Sequence, residues 1–120
     1  MNYGYIRVSG EKQTVENQRY EIAEYCAKKG IVIDKWIAES VSGAKHPNVR
    51  KLGNILSIIQ KGDTILVTEL SRLGRCAYMV ISIISHCLMV KANILEVRDD
   101  KIVMDDSDSV QDTFFKVLFA

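Results

Sequence analysis

Several hydroxyl and cationic side chains lie in three short stretches of the sequence. They are Arg7 and Ser9, then Ser42, Lys45 and Arg50, and then Arg72 and Arg75. Guanidinium groups are planar and permanently charged, so they can clamp the non-bridging oxygens of a phosphate in pairs. Placed around a serine, they would stabilise the charge that grows on a phosphodiester under attack, without a metal ion. These residue types predict a phosphate ester as the substrate.

The elements that must position these side chains alternate along the chain. Apolar β-prone runs predict strands at residues 2–8, 31–38, 63–68 and 93–98, and helical spacing predicts helices at 14–29, 52–61 and 75–90. Residues 102–104 could add a short strand, and a last helical pattern starts at Val110. This order predicts an α/β fold, a three-layer sandwich with a mainly parallel sheet of four to five strands flanked by helices. In such sheets the site lies at the carboxyl ends of the strands, which is where Arg7, Ser9 and Arg72 fall.

Size and composition indicate one ordinary globular domain. The chain has 120 residues and a mass of 13.6 kDa, with 48% hydrophobic and 26% charged residues. Its charge is polarised: residues 1–98 hold 14 Lys or Arg against 9 Asp or Glu, and residues 99–120 hold 2 against 6. Three cysteines without C-x-x-C spacing and two histidines make a disulfide framework or a zinc site improbable. No apolar run approaches membrane-spanning length, so the expected compartment is a reducing cytoplasm.

Common alternative sites of α/β proteins do not match. A receiver domain would need a carboxylate pair after the first strand and an aspartate after the third. A dinucleotide site would show G-x-G-x-x-G and a P-loop a glycine-rich run ending in Gly-Lys-Ser/Thr, and neither pattern occurs. A hydrolase triad would need a histidine beside the serine, but His46 falls in a predicted loop and His86 on a predicted helix.

A family resemblance follows from the order of these motifs. Tyr-Ile-Arg-Val-Ser at residues 5–9 is followed by Gln13 and Gln18, then Ser42-Gly43, and then Ser-Arg-Leu-Gly-Arg at 71–75 after a predicted strand. This pattern resembles the catalytic domain of the resolvase/invertase group of serine site-specific recombinases and extends over essentially the whole chain. The resemblance implies a resolvase-like fold.

The same resemblance implies a reaction and a role for each matched residue. Ser9 would attack a DNA phosphate, forming a 5′-phosphoseryl linkage and releasing a 3′-hydroxyl, after which strands exchange and religate without ATP or a metal cofactor. Arg7, Arg72 and Arg75 match the arginines that bind the scissile phosphate. Arg50 is the best match for a further arginine after the Ser-Gly pair. The supporting or DNA-phosphate-binding positions are Gln13, Gln18, Ser42 and Lys45.

The resemblance also carries expectations about assembly and about departures from the family. It implies double-stranded DNA as partner, a homodimer on each site, a tetramer in the synapse, and a bacterial or phage-borne mobile element as carrier. Many members have aspartate where Ser71 stands, so an arginine-orienting carboxylate would be absent here or would be Glu69. The chain is expected to be cut within its final helix, with a DNA-binding domain missing.

Two other functions stay open at this point. The chain could be a catalytically inactive remnant that associates with a full-length recombinase through its apolar last helix, which contains Phe114 and Phe115. It could also be a small phosphate-ester hydrolase or a receiver-like signalling domain, a reading disfavoured by the missing carboxylates and metal ligands.

Overall fold

The computed structural model describes residues 1–9, 12–41 and 50–102. Strands and helices alternate through this part of the chain as predicted. In chain order they are β1 (Asn2–Val8), α1 (Lys12–Lys29), β2 (Lys35–Ser40), α2 (Lys51–Ile58), β3 (Thr64–Val67), a 3₁₀ turn (Leu70–Arg72), α3 (Ala77–Val90), β4 (Asn93–Glu96) and β5 (Lys101–Ile102).

The strands form one sheet in the order β2-β1-β3-β4-β5. The first four are parallel, with Tyr5 opposite Ile37 and Tyr3 opposite Ile65, and β5 runs antiparallel to β4. The central strands β1 and β3 are buried along almost their whole length, which explains their nearly continuous apolar sequence. The predicted α/β class and mainly parallel sheet are confirmed.

Helices cover both faces of the sheet, so the molecule has the three predicted layers. On one face α2 and α3 pack on the sheet through Leu52, Ile55, Ile83 and Cys87. On the other face α1 packs through Ile22 and Cys26. Cys26 and Cys87 are buried, whereas Cys76 is exposed.

Some predicted boundaries are wrong, and local hydrogen bonds explain why. The second strand starts at Lys35 rather than at residue 31, because Asn2 holds the preceding segment. Its side chain donates to the Val32 carbonyl, and its backbone N–H donates to the Asp34 carboxylate. The second helix ends at Ile58 rather than at residue 61, since Ile59 already has extended backbone angles.

The chain between β3 and α3 also differs from the prediction. The predicted helix from residue 75 begins at Ala77, after the 3₁₀ turn and an extended Cys76. Gly74 passes so close to α3 that an added Cβ would lie 2.7 Å from the Cβ of Met79, so only glycine fits there. The short fifth strand includes Lys101–Ile102, so it starts one residue earlier than predicted. Residues 103–104 and the predicted last helix lie outside the described residues.

None of the helices in residues 12–29, 51–58 and 77–90 is both long enough and apolar enough to cross a membrane.

Candidate active site

Two parallel strands bring the serine and two arginines to one edge of the sheet. β1 ends at Val8, directly before Ser9, and the turn Leu70–Arg72 follows β3. Because β1 and β3 are parallel neighbours, their carboxyl ends meet at the same edge. The predicted convergence of Arg7, Ser9 and Arg72 is therefore present in the fold.

The Arg7 guanidinium connects these two strand ends. It donates to the backbone carbonyls of Ser71 and Arg72, both at 2.9 Å, and to the Val41 carbonyl at 3.2 Å. A further N–H donates to the Ser9 hydroxyl oxygen at 3.2 Å. Arg7 is only 7% exposed, whereas Ser9 is exposed. A buried cation thus holds a hydroxyl group that an incoming substrate can reach.

The electrostatics around Arg7 favour an anion. Four acceptors from the described part of the chain surround its guanidinium, and all four are neutral oxygens. Burial lowers the pKa of Arg7, and the nearby charges of Arg50 and Arg72 lower it further. A bound phosphate would relieve this repulsion. The same positive charge beside Oγ would stabilise an alkoxide at Ser9, and an alkoxide is a stronger nucleophile than a hydroxyl group.

Arg7 and Arg72 hold each other's backbone in place. Arg7 donates to the Arg72 carbonyl, and Arg72 donates in return to the Arg7 carbonyl at 3.3 Å. Gln18, reaching across from α1 and only 2% exposed, donates its amide to the same Arg7 carbonyl at 3.1 Å. The backbone leading into Ser9 is therefore held from two sides.

Arg50 lies deeper than its predicted role would suggest. Its side chain is fully buried, donating to the Tyr5 hydroxyl at 2.7 Å and to the Arg72 carbonyl at 3.4 Å. The Tyr5 hydroxyl in turn donates to the Glu39 carboxylate, whose Oε2 lies 3.9 Å from Arg50 Nε. We call Tyr5, Glu39 and Arg50 the inner cluster. Through the Arg72 carbonyl it adjoins the site without opening to solvent.

Glu39 has a second function in the inner cluster. Both of its carboxylate oxygens accept backbone N–H groups from the first turn of α2, at 2.8 Å from Lys51 and 3.2 Å from Leu52. A carboxylate at a helix N-terminus satisfies donors that the helix itself leaves free. The end of β2, the side chain of Arg50 and the start of α2 are thus tied to one carboxylate.

Sequence reasoning missed Tyr5 and Glu39 as members of the site. The alternation of a strand could have found Tyr5, because it lies two residues before Arg7 and on the same face of β1. No local pattern distinguishes Glu39 from a solvated acidic residue at a strand end. Its burial follows only from the return of the chain at Arg50.

Arg75 is exposed in the segment between the 3₁₀ turn and α3. It borders a cleft of about 360 Å³ that lies at the carboxyl ends of β3 and β4. The other lining residues include Glu69, Ser71, Cys76, Val80 and Glu96. Arg75 is thus free to contact a ligand, but the described structure does not bring it into the hydrogen-bonded group around Arg7.

The remaining predicted positions are only partly described. The backbone of Gln13 belongs to α1, and its side chain is not described. Ser42, Lys45 and His46 lie outside the described residues. His86 hydrogen-bonds the Leu56 carbonyl from an exposed position on α3, which is a structural contact between two helices. Within residues 1–9, 12–41 and 50–102, no group of three or more potential ligands is placed to hold a metal ion.

Comparison with known protein families gives a direct result. Residues 2–120 match the resolvase N-terminal domain family. The chain belongs to this family.

Curated resolvases and invertases share its sequence over part of their length. The chain is 31% identical to a Clostridium perfringens resolvase over 99 residues, which cover 82% of this chain and 50% of that protein. It is 31% identical to the Salmonella typhimurium DNA-invertase hin over 117 residues, 98% of this chain and 56% of the invertase. A Tn2501 resolvase from Escherichia coli is 39% identical over 77 residues, 62% of this chain and 38% of that protein. This resolvase-family chain spans about half the length of the curated relatives it matches.

Solved structures share the fold. The N-terminal catalytic domain of TP901-1 integrase superposes with a TM-score of 0.72 at 18% identity, covering 98% of this chain and 90% of that domain. A resolvase-family site-specific recombinase from Streptococcus pneumoniae gives a TM-score of 0.70 at 18% identity, covering 98% and 84%. The predicted resolvase-like architecture is confirmed.

Proposed function

We propose that this chain is the catalytic domain of a serine site-specific recombinase that cleaves and rejoins double-stranded DNA. One observation carries the proposal: the exposed Ser9 hydroxyl accepts a hydrogen bond from the buried Arg7 guanidinium, beside two more arginines. The names of its relatives, among them serine recombinase PinR and DNA-invertase hin, support the same chemistry.

In the proposed reaction, Ser9 Oγ attacks a DNA phosphorus. The Oγ–P bond forms, the P–O3′ bond breaks, the hydroxyl proton leaves to solvent, and the departing 3′ oxygen takes up a proton. Arg7 stabilises the alkoxide, while Arg72 and Arg75 are the guanidinium groups available for the non-bridging oxygens and the leaving oxygen. Reversal with a different 3′-hydroxyl rejoins the strands. Since the phosphoseryl ester conserves the bond, neither ATP nor a metal ion is required.

The supporting residues act on the geometry of this site. Gln18 donates a hydrogen bond to the Arg7 carbonyl, and the buried Arg50 donates one to the Arg72 carbonyl. Gln13, Ser42 and Lys45 are proposed to contact the DNA phosphates around the scissile bond, on the strength of the sequence motifs alone.

We further propose that two chains bind each DNA site and four chains form the synapse, because both strands at two sites must be cut and exchanged. The bacterial relatives favour a mobile element or phage as carrier and the bacterial cytoplasm as compartment. The outcome, whether integration, inversion or resolution, depends on the arrangement of the sites.

Covalent trapping tests the proposed function. The protein encoded by the full reading frame that contains this chain is incubated with the DNA that flanks its gene, in the presence of EDTA. Denaturing gels and peptide mass mapping then detect any DNA-linked species. We expect an adduct on Ser9, complete loss of it in Ser9→Ala, and retention of it in Ser82→Ala, which removes an exposed hydroxyl on α3. Absence of an adduct from the wild-type protein would contradict the proposal and favour the inactive, associating remnant.

A further inference from the structure

A chain of four alternating charges leads from α1 to the site. Its members are Glu21 on α1, Arg98 after β4, Glu69 before the 3₁₀ turn, and Arg72. We call these four residues the rim cluster. Apart from Arg72, the proposed reaction assigns them no function.

Glu69 lies between two guanidinium groups but contacts one of them more closely than the other. Its Oε2 lies 2.7 Å from Arg98 Nη1, a short charge-assisted hydrogen bond, whereas its Oε1 lies 3.5 Å from Arg72 Nη2. Arg98 is itself held by Glu21, to which it donates through Nε at 3.2 Å and Nη2 at 3.0 Å. These contacts raise the pKa of Arg98. The carboxylate of Glu69 is thus fastened mainly to Arg98.

The backbone reinforces this arrangement. The N–H of Arg98 donates to the Thr68 carbonyl at 3.0 Å, so Arg98 is anchored beside the end of β3. The Glu96 carboxylate accepts the N–H of Leu70 at 2.8 Å and fixes the start of the 3₁₀ turn. Glu69, extended between these two anchored points, has little freedom to move relative to Arg72.

The direction of the Arg72 guanidinium depends on two acceptors in the described part of the chain. Nη1 donates to the Arg7 carbonyl at 3.3 Å, and Nη2 faces Glu69. Its Nε is buried without a hydrogen-bond partner among the described residues, so no hydrogen bond at Nε helps to orient the guanidinium. Without Glu69, one weak hydrogen bond would remain to aim the guanidinium.

We infer that Glu69 is the positioning residue for Arg72, and that Arg98 keeps Glu69 from neutralising it. The inference rests on the proposed function, in which Arg72 contacts the scissile phosphate. Because Arg98 draws the carboxylate to itself, Glu69 aims Arg72 through a longer and weaker pair, and the arginine keeps its capacity to bind an anion. Loss of Arg98 would let Glu69 close on Arg72 and compete with the phosphate.

Single-turnover cleavage in the full-length protein tests the inference through its dependence on Arg72. We expect Glu69→Gln to slow formation of the Ser9 adduct about 10- to 100-fold, as misplacement of a catalytic group does, while DNA affinity changes less than about threefold. In an Arg72→Ala background, Glu69→Gln should cause no further loss. Arg98→Met should slow cleavage as well, but not when Glu69→Gln is already present.

The matched control is Glu24→Gln, the same substitution in an exposed ion pair on α1, away from the rim cluster. It should cleave at the wild-type rate. If Glu69→Gln behaves like this control, or if its loss persists without Arg72, the inference is overturned.

A measurement on the protein without DNA separates the inference from the proposed function. In ¹⁵N-arginine NMR spectra, Glu69→Gln should speed rotation and solvent exchange of the Arg72 Nη groups several-fold, and Glu24→Gln should not. An unchanged exchange rate would overturn the positioning role. A wild-type protein that forms no Ser9 adduct would refute the proposed function, and this exchange experiment would still decide whether Glu69 holds Arg72.

Discussion

The inner cluster and the rim cluster use the same side-chain types in opposite surroundings. In the inner cluster, the side chains of Arg50 and Glu39 are 0% and 3% exposed, and a tyrosine hydroxyl bridges them. In the rim cluster, Arg98 is 51% exposed and its partners Glu21 and Glu69 are about one-third exposed. Both clusters end on Arg72, one at its backbone carbonyl and the other at its guanidinium.

Their surroundings indicate different functions. A buried ion pair cannot lose one partner cheaply, because the remaining charge stays in a medium of low polarity. An exposed pair is screened by water and salt and contributes little to folding. The inner cluster is therefore expected to govern whether this end of the domain folds, and the rim cluster where the arginine of the site points.

The largest expected effect comes from Glu39→Ala. The substitution removes the carboxylate that lies beside the buried Arg50 guanidinium and frees two N–H groups at the start of α2. We expect a loss of about 3–5 kcal/mol in the free energy of unfolding, measured by urea denaturation. Glu24→Ala, on the surface of α1, should cost less than about 1 kcal/mol. A loss this small for Glu39→Ala would show that the inner cluster does not stabilise the fold.

The contrast between the clusters also marks how far the sequence could be read. Alternating strand and helix patterns were sufficient to predict the layers of the fold. The predicted strand ends were sufficient to place Arg7, Ser9 and Arg72 at the same edge of the sheet. The partners that hold the arginines were not predictable in the same way. Glu39 meets the first turn of α2, and Glu21 meets Arg98, only after the chain has folded back over many residues.

The predicted boundaries of strands and helices were wrong for a related reason. A run of apolar residues marks the second strand, but hydrogen bonds from the backbone and side chain of Asn2 to Asp34 and Val32 decide where pairing starts. The suggestion that Glu69 could take the place of a missing carboxylate at Ser71 came from the family pattern. Only the structure shows that Glu69 is shared with Arg98.

A smaller loss in the free energy of unfolding is expected from Tyr5→Phe, and this loss should depend on pH. The variant keeps the ring but removes the hydroxyl between Arg50 and Glu39, which should cost about 1–3 kcal/mol near neutral pH. Burial raises the pKa of Tyr5 above its ordinary value of 10.0. The unfolded state therefore loses its proton first, so the stabilisation by Tyr5 is complete below pH 10 and declines as the pH rises further.

Urea unfolding of both proteins between pH 7 and pH 11.5 measures this dependence. The difference in unfolding free energy between wild type and Tyr5→Phe should be constant up to about pH 10 and should narrow above it. A difference that widens in the alkaline range would mean that the hydroxyl is not held protonated in the inner cluster.

The smallest expected loss of stability comes from Glu21→Gln, and its dependence on salt concentration distinguishes the two clusters. Glu21→Gln removes the outer end of the rim cluster, and we expect it to cost only about 0.2–1 kcal/mol in 50 mM salt. Because the Debye length falls to about 3 Å at 1 M, most of that loss should vanish at high salt. The loss caused by Glu39→Ala should persist there, since ions do not enter the inner cluster. Equal salt sensitivity of the two variants would contradict the division between a buried cluster that stabilises the fold and an exposed cluster that aims Arg72.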